Sequence, residues 1–387
     1  MVILIDEAVW GAPQAFADLG EARTFVGRSV GPRDIEGADA LVVRSVTRVD
    51  ETLLANSKVR FVGTASSGTD HVDLDLLASR GIAFAAAEGC NARTVAEYVL
   101  AALLHLADRN GFDLRRKTLG VVGVGRIGSI VREWGRLLGM RVLGCDPPLA
   151  SRGVVGLDPF EQLAGESDFV TLHVPLTVKG EDATAGMVNR QWLGALNPRS
   201  ILINTSRGEV VNEEDLARSL ESGRLAGAVL DVWRNEPRVN AELAKLATLA
   251  TPHIAGQSVE ARKRAAVTIR HRLRECLGCE HEDPRGSQAS IRSGGCAKKT
   301  IKIQDAGDIL YIARQAVLRA TGLLQARDAF RDAMVAQDPD VGFDHTRSKA
   351  ASRREFTAYR VEASLDDAMA SLLSRWGFGL SCRAPNG

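Results

Sequence analysis

An arginine, two carboxylates and a histidine stand just past the ends of three apolar runs. Arg207 follows the run ILIN at 201–204, Asp231 and Glu236 follow AVL at 228–230, and His253 follows LATP at 249–252. Taken singly, each has an ordinary explanation: a surface arginine, a solvated glutamate, a hydrogen-bonded core histidine. Taken together they suit removal of a hydride from a carbon that bears a hydroxyl. That reaction needs a group to accept the hydroxyl proton, which an imidazole does near neutral pH. A carboxylate such as Glu236 beside it orients the ring and favours the imidazolium that forms. A guanidinium such as Arg207 pairs through two N–H groups with a substrate carboxylate and polarises the reacting oxygen.

The hydride needs an acceptor, and the segment VVGVGRIG at 121–128 offers a place for one. It follows an apolar strand and opens an amphipathic stretch that ends near Gly139. A second apolar strand then stops at Asp146. That order and spacing match the dinucleotide fingerprint. Gly123 makes the tight turn, Gly125 lets the backbone approach a pyrophosphate, and Gly128 allows helix and strand to pack closely. Arg126 and Ile127 open a helix whose first N–H groups lack intrahelical partners and suit phosphate oxygens. Asp146 suits the two ribose hydroxyls and repels a 2′-phosphate, so NAD is the expected cofactor.

These side chains have to be held by strands. Apolar runs at 2–5, 40–43, 61–65 and 82–86 form one series. Runs at 119–122, 141–145, 169–173, 200–204, 227–230 and 249–251 form another. Helical stretches fall between them, with Asp158 and Asn212 as N-caps and Gly223 near a helix end. Such alternation predicts α/β architecture, a doubly wound parallel sheet whose ligands sit outside the carboxyl ends of the strands. Long helices at 94–106 and 259–277 predict two crossings between lobes. The expected domains are therefore 1–92 with 257–280, then 93–256, then a smaller α+β unit at 281–387. The last is expected to be helical over 306–337, with a strand–helix–strand near 357–381. Residues 282–300, rich in Gly and Ser, read as a linker.

Composition excludes several alternatives. With 49 Lys and Arg against 48 Asp and Glu there is no overall basic field for a nucleic acid, so any anion must be caught by local geometry. No apolar run approaches the roughly 20 residues of a membrane span, and the opening MVILI meets Asp6 and Glu7 at once, so a cytoplasmic location is expected. Six cysteines are too sparse for a disulfide framework. Cys276 and Cys279, with His281 and Cys296, are placed to suggest zinc, but the second ligand pair is incomplete. Reduced thiols and no metal are the expectation.

With GVGRIG at 123–128, NTSRG at 204–208, LDVWRNEP at 230–237 and TPHIAG at 251–256, the chain resembles the D-2-hydroxyacid dehydrogenase family. ALVVRSVTRV at 40–49, GTDHVD at 68–73, GCN at 89–91 and CDPP at 145–148 are most similar to the branch that oxidises 4-phosphoerythronate on the way to pyridoxal phosphate. Phe343-Asp344, Arg353-Arg354-Glu355 and Trp376-Gly377-Phe378 echo the C-terminal extension of that branch. The resemblance implies a Rossmann-type NAD domain, a flavodoxin-like discontinuous substrate domain and a C-terminal dimerisation domain, hence a homodimer. It implies Arg207, Glu236 and His253 as the catalytic trio, with Asp146, Val174, Ser206, Asp231 and Gly256 at NAD. Arg44, Ser45, Ser66 and Gln257 fall at the substrate, Ser66 standing where the branch has threonine and Gln257 where it has tyrosine. Arg44, with Arg353 or Arg354 supplied across the dimer, is expected at the 4-phosphate. The alternatives are another member of the family, such as a 3-phosphoglycerate dehydrogenase, or an NAD-sensing corepressor that uses the same fold without catalysis.

Overall fold

The computed structural model describes residues 1–278, 298–303, 309–335 and 339–382. They divide into two compact units: residues 1–91 with the helix Val259–Cys276, and residues 92–258 with the described residues from 298 onward.

The first unit is built on a parallel sheet of β1 (Val2–Asp6), β2 (Glu21–Phe25), β3 (Ala40–Val43), β4 (Phe61–Thr64) and β5 (Ala83–Ala86), in the order β2-β1-β3-β4-β5. Strand β3 is buried along its whole length, as expected of an apolar run covered on both faces. Strand β2 carries no such signal. It lies at the sheet edge, only Phe25 is buried, and Glu21, Arg23 and Thr24 are exposed. The helix Val259–Cys276 returns to this sheet and lays Ala265, Ala266, Ile269 and Leu273 on it. Gly63 permits the approach, because a β-carbon there would stand 2.5 Å from the Ile269 side chain.

The second unit holds a six-stranded parallel sheet: β6 (Thr118–Val122), β7 (Arg141–Cys145), β8 (Phe169–Leu172), β9 (Ile201–Asn204), β10 (Gly227–Leu230) and β11 (Leu249–Ala250). Their order is β11-β10-β9-β8-β6-β7. Strand order reverses between β7 and β8 on either side of β6, and a crevice at such a switch point is where open α/β sheets bind ligands. Asn212 caps the helix Glu213–Glu221, accepting the Asp215 N–H at 3.1 Å. Asp158 does not cap its helix. Phe160–Glu166 starts without a side-chain cap, and the Asp158 carboxylate instead accepts the Gly144 N–H at 2.8 Å, tying a loop back to β7.

The C-terminal residues add a parallel sheet of β12 (Lys299–Lys302), β13 (Tyr359–Ala363) and β14 (Gly379–Cys382), with helices Ile309–Thr321, Leu323–Met334, Pro339–Ala350 and Asp367–Arg375. Rather than closing a core of their own, Ile301, Ala316, Val361 and Trp376 share one with Leu103 and Leu106 of the helix Ala92–Asn110. That helix is apolar all round, so the face it turns from the sheet has to be covered. Cys279, His281 and Cys296 lie outside the described residues. Cys276 is a free, exposed thiol, and no group of His, Cys, Asp or Glu among the described residues could hold a metal. No described helix is long and apolar enough to cross a membrane.

One charged residue is buried within the Ala92–Asn110 helix. Glu97 is fully enclosed; one carboxylate oxygen accepts the Phe356 N–H at 2.9 Å and the other meets Arg353 at 3.4 Å. Burial, aided by the neighbouring Glu355 carboxylate, raises its pKa to about 8 against the pull of Arg353 and Arg93. The folded chain therefore keeps this proton to higher pH than the unfolded chain. Stability should fall as pH rises from the ordinary value of 4.5 toward 8. In Glu97→Gln this contribution is absent, so urea unfolding of the variant should show a flatter loss between those pH values than wild type. Parallel profiles would remove Glu97 as the titrating group.

Candidate active site

Each of the three expected catalytic side chains is presented by a turn at the carboxyl end of a strand. After β9, Asn204 organises the turn. Its Oδ1 accepts the Ser206 N–H at 3.0 Å and the Ser206 hydroxyl at 2.8 Å, and its amide donates to the Arg207 carbonyl at 3.0 Å. Arg207 leaves this clamp half-buried, one guanidinium nitrogen donating to the Ser206 carbonyl at 2.8 Å.

The turn after β10 holds Glu236 over the loop that carries it. Glu236 Oε1 accepts the Trp233 N–H at 3.0 Å, and the indole of Trp233 donates to the Thr251 carbonyl at 2.9 Å. Gly208 joins the Arg207 turn to this loop. A β-carbon at 208 would run into the backbone of Trp233 and Arg234. Because the obstructing atoms are main chain, Gly208→Ala should cost about 3 kcal/mol, the upper end for overpacking, and lower turnover as well. Urea unfolding and steady-state kinetics of the variant test this; wild-type values in both would mean that the two loops yield freely.

The third turn brings His253 to Glu236. Imidazole Nδ1 lies 2.7 Å from Glu236 Oε2, with side-chain exposures of 26% and 19%, so the pair is sheltered yet reachable. Burial pushes the Glu236 carboxyl up, but the His253 charge and hydrogen bond, with Arg347 and the Trp233 amide, outweigh it and leave the pKa lowered. Glu236 is therefore a carboxylate at neutral pH, an acceptor for an Nδ1–H, and Nε2 is the nitrogen directed away from it. His253 also has a φ of +55°, which a side chain other than glycine rarely adopts and which the surroundings must hold in place.

Asp231 does much of that holding. It is fully buried, Oδ1 accepting the Thr251 hydroxyl at 2.6 Å and the Ile254 N–H at 2.8 Å, Oδ2 the Ala255 N–H at 2.8 Å. Its own carbonyl accepts the His253 N–H at 2.6 Å. Burial raises its pKa against the opposing pull of His253 and these three donors.

At the switch point, Gly123 has φ +85°, and a β-carbon there would come within 2.6 Å of the His173 carbonyl oxygen. At 128 it would strike the Gly123 carbonyl, whereas at 125 it would meet nothing within 4 Å. Two glycines are thus required by close packing and the third borders open space, as a pyrophosphate cradle demands. The helix Arg126–Leu137 begins there with no side-chain cap, so its first N–H groups suit an anion. Arg126 is exposed and Ile127 half-buried. Asp146 ends β7 with Oδ2 accepting the Val124 N–H at 2.8 Å and Oδ1 the Leu149 N–H at 3.0 Å, which fixes the carboxylate across the glycine turn. The residues fit a dinucleotide. Val174 is half-buried beside the Gly123 turn, Ser206 is buried in the Asn204 clamp, and Gly256 follows the His253 turn.

Three expected substrate residues fall in the first unit. Arg44 Nε donates to the buried Asp6 at 2.9 Å, and its side chain is 35% exposed. Ser45 is exposed, and Ser66 bonds to Thr64 at 2.7 Å and to the Gly68 carbonyl at 3.0 Å. Gln257, half-buried, is in the second unit, its N–H donating to the Ile254 carbonyl at 2.9 Å. Arg353 departs from expectation. It is buried, and its two Nη groups donate to the Ala255 and Thr94 carbonyls at 3.4 and 3.0 Å and meet Glu97, so they face the interior of its own subunit and are not offered to a phosphate.

The structure also places polar residues that spacing does not single out. The His173 ring sits between Thr171 at 3.0 Å and Thr205 at 3.5 Å, and burial lowers its pKa to about 3, so it stays neutral. Tyr98 donates to Thr251 at 2.6 Å, extending the Asp231 network. A lone tyrosine and a lone glutamate within an apolar helix were the available signals for Tyr98 and Glu97.

Residues 92–255 match the family model described as "D-isomer specific 2-hydroxyacid dehydrogenase, NAD binding domain". Erythronate-4-phosphate dehydrogenase of Sodalis glossinidius (strain morsitans) is 41% identical over 94% of each chain. Its counterpart from Serratia proteamaculans (strain 568) is 38% identical over 98% of this chain and 99% of its own. Among solved structures, D-lactate dehydrogenase from Aquifex aeolicus, complexed with NAD and lactic acid, superposes with a TM-score of 0.59 at 25% identity. The match covers 76% of this chain and 98% of that one. NAD-bound 3-phosphoglycerate dehydrogenase of Entamoeba histolytica shares the fold, with a TM-score of 0.62 at 24% identity over 72% of this chain and 96% of its own.

Proposed function

This chain belongs to the D-isomer specific 2-hydroxyacid dehydrogenase family, as an NAD-dependent oxidoreductase, and we propose that it oxidises the C2 hydroxyl of 4-phosphoerythronate to 2-oxo-3-hydroxy-4-phosphobutanoate in pyridoxal phosphate synthesis. The observation that carries the chemistry is the 2.7 Å contact between His253 Nδ1 and Glu236, which leaves Nε2 to serve the substrate. The likeness to erythronate-4-phosphate dehydrogenases over nearly the whole chain supports the choice of substrate.

NAD, when bound, supplies the acceptor for the hydride. Gly123, Gly125 and the helix start at Arg126–Gly128 cradle its pyrophosphate, and Asp146 takes the ribose hydroxyls. Val174, Ser206, Asp231 and Gly256 complete that site. Arg207 holds the substrate carboxylate and polarises the C2 oxygen. His253 Nε2 takes the hydroxyl proton as the C2–H bond breaks with its electron pair and the carbonyl forms. Glu236, kept ionised, stabilises the resulting imidazolium and holds the ring. Arg44, Ser45, Ser66 and Gln257 are assigned to the substrate, Arg44 being the cation for its phosphate. By the bounds expected from the sequence, residues 1–92 with 257–280 are assigned to substrate, 93–256 to NAD and 281–387 to dimerisation in a cytoplasmic homodimer, although Ala92, Gln257 and Ser258 belong to the second compact unit.

The test is a parallel assay of NADH formation with 4-phosphoerythronate, 3-phosphoglycerate and D-lactate, each with NAD and with NADP. 4-Phosphoerythronate with NAD should give the highest kcat/KM. A preference for 3-phosphoglycerate would reassign the substrate within the family, and NAD binding without turnover of any acid would favour a sensing protein.

A further inference from the structure

Asp231 holds the turn that carries His253 through Thr251, Ile254 and Ala255. The C-terminal segment grips the same turn at Ala255 and Ser258. Arg353 Nη1 donates to the Ala255 carbonyl at 3.4 Å, two residues beyond His253. Glu355 Oε1 accepts the Thr94 hydroxyl at 2.5 Å and the Ser258 hydroxyl at 3.3 Å, and those hydroxyls lie 3.1 Å apart. Arg353 Nη2 reaches the Thr94 carbonyl and Glu97, and Glu97 in turn accepts the Phe356 N–H. Thr94, Glu97, Ser258, Arg353 and Glu355 are all buried.

Adhesion does not require these charges. Phe356 already stacks on Trp134 and Phe378, with ring centroids 6.1 and 4.5 Å apart, and so anchors the segment to the helix that follows the glycine turn. Apolar side chains of similar volume often serve stability as well as buried ion pairs or better, because desolvation offsets the attraction. What directed hydrogen bonds add is alignment. The group that needs alignment is close by: a histidine in a left-handed backbone conformation whose Nε2 must meet one oxygen.

We infer that Arg353 and Glu355 are positioning residues for hydride transfer, holding the Thr251–Ser258 turn at Ala255 and Ser258, in addition to Asp231, so that His253 stays aligned on the C2 hydroxyl. The inference rests on His253 being the proton acceptor. It gives the C-terminal segment a role in the chemistry of its own subunit, separate from any role in dimerisation.

The experiment compares Arg353→Met, Arg353→Lys, Glu355→Gln and His253→Asn in the full-length protein. It measures kcat, the primary isotope effect with 2-deuterated 4-phosphoerythronate, NADH affinity by fluorescence, and Tm. Arg353→Met should lower kcat by about tenfold or more, since misplacement of a reacting group by 1 Å can cost about 100-fold. Its isotope effect on kcat should exceed that of wild type while NADH affinity is retained, and Arg353→Lys should recover part of the rate. If Arg353→Met does not fold, Glu355→Gln, which keeps the shape, should show the same raised isotope effect. Wild-type kcat and isotope effect in the variants that fold would overturn the inference, as would equal losses of kcat and NADH affinity. Wild-type turnover in His253→Asn would instead overturn the base assignment, so the two failures are distinguishable.

Discussion

His253→Asn should lose about 100-fold to 10,000-fold in kcat, the usual worth of a positioned acid–base group, while binding NADH as wild type does. Asparagine can keep a hydrogen bond to Glu236 but has no nitrogen able to take a proton. The turn should survive the change, because Asp231 holds it through the N–H groups of Ile254 and Ala255 and the Thr251 hydroxyl, none of which belongs to the imidazole. The φ of +55° also favours asparagine over most replacements, since its short polar side chain tolerates that region better. Stopped assays with NADH fluorescence titration check both halves. Loss of NADH binding together with turnover would point to a collapsed turn, and undiminished turnover to a different base.

Arg207→Met should lower kcat/KM for the hydroxy acid by about 100-fold to 1,000-fold, the range for removing one preorganised donor from a developing charge. NAD affinity should change little. Arg207→Lys restores the charge without the planar fork, so it should recover only part of the loss. The clamp of Asn204 on Ser206 and on the Arg207 carbonyl is made by groups other than the guanidinium, so the turn after β9 should keep its course in both variants. Equal kcat/KM in wild type and Arg207→Met would remove the arginine from substrate binding.

The contact between Glu236 and His253 is legible in the sequence because both residues end apolar runs that must be neighbouring parallel strands. Strand ends then bring together what the chain separates by 17 positions. The glycine turn is legible for a similar reason, since few conformations satisfy GVGRIG between an apolar strand and an amphipathic helix. Where identity depends on what covers a surface, the letters say less. Strand β2 is an edge strand with one buried residue and no periodic signal. Asp158 has the right type and place for a cap, but a strand amide at Gly144 competes for it and wins. Arg353 lies in a basic pair that reads as surface charge or a phosphate ligand. Its burial follows from Glu97 more than 250 positions away, a partner no local window contains.

The most direct measurement is a crystal structure of the complex with NADH and the 2-oxo product. His253 Nε2 should lie within about 3 Å of the C2 oxygen, the hydrogen-bond reach of an acid–base group, with the Arg207 guanidinium on the substrate carboxylate. An imidazole turned away from that oxygen, with another side chain nearest to it, would rule out His253 as the base.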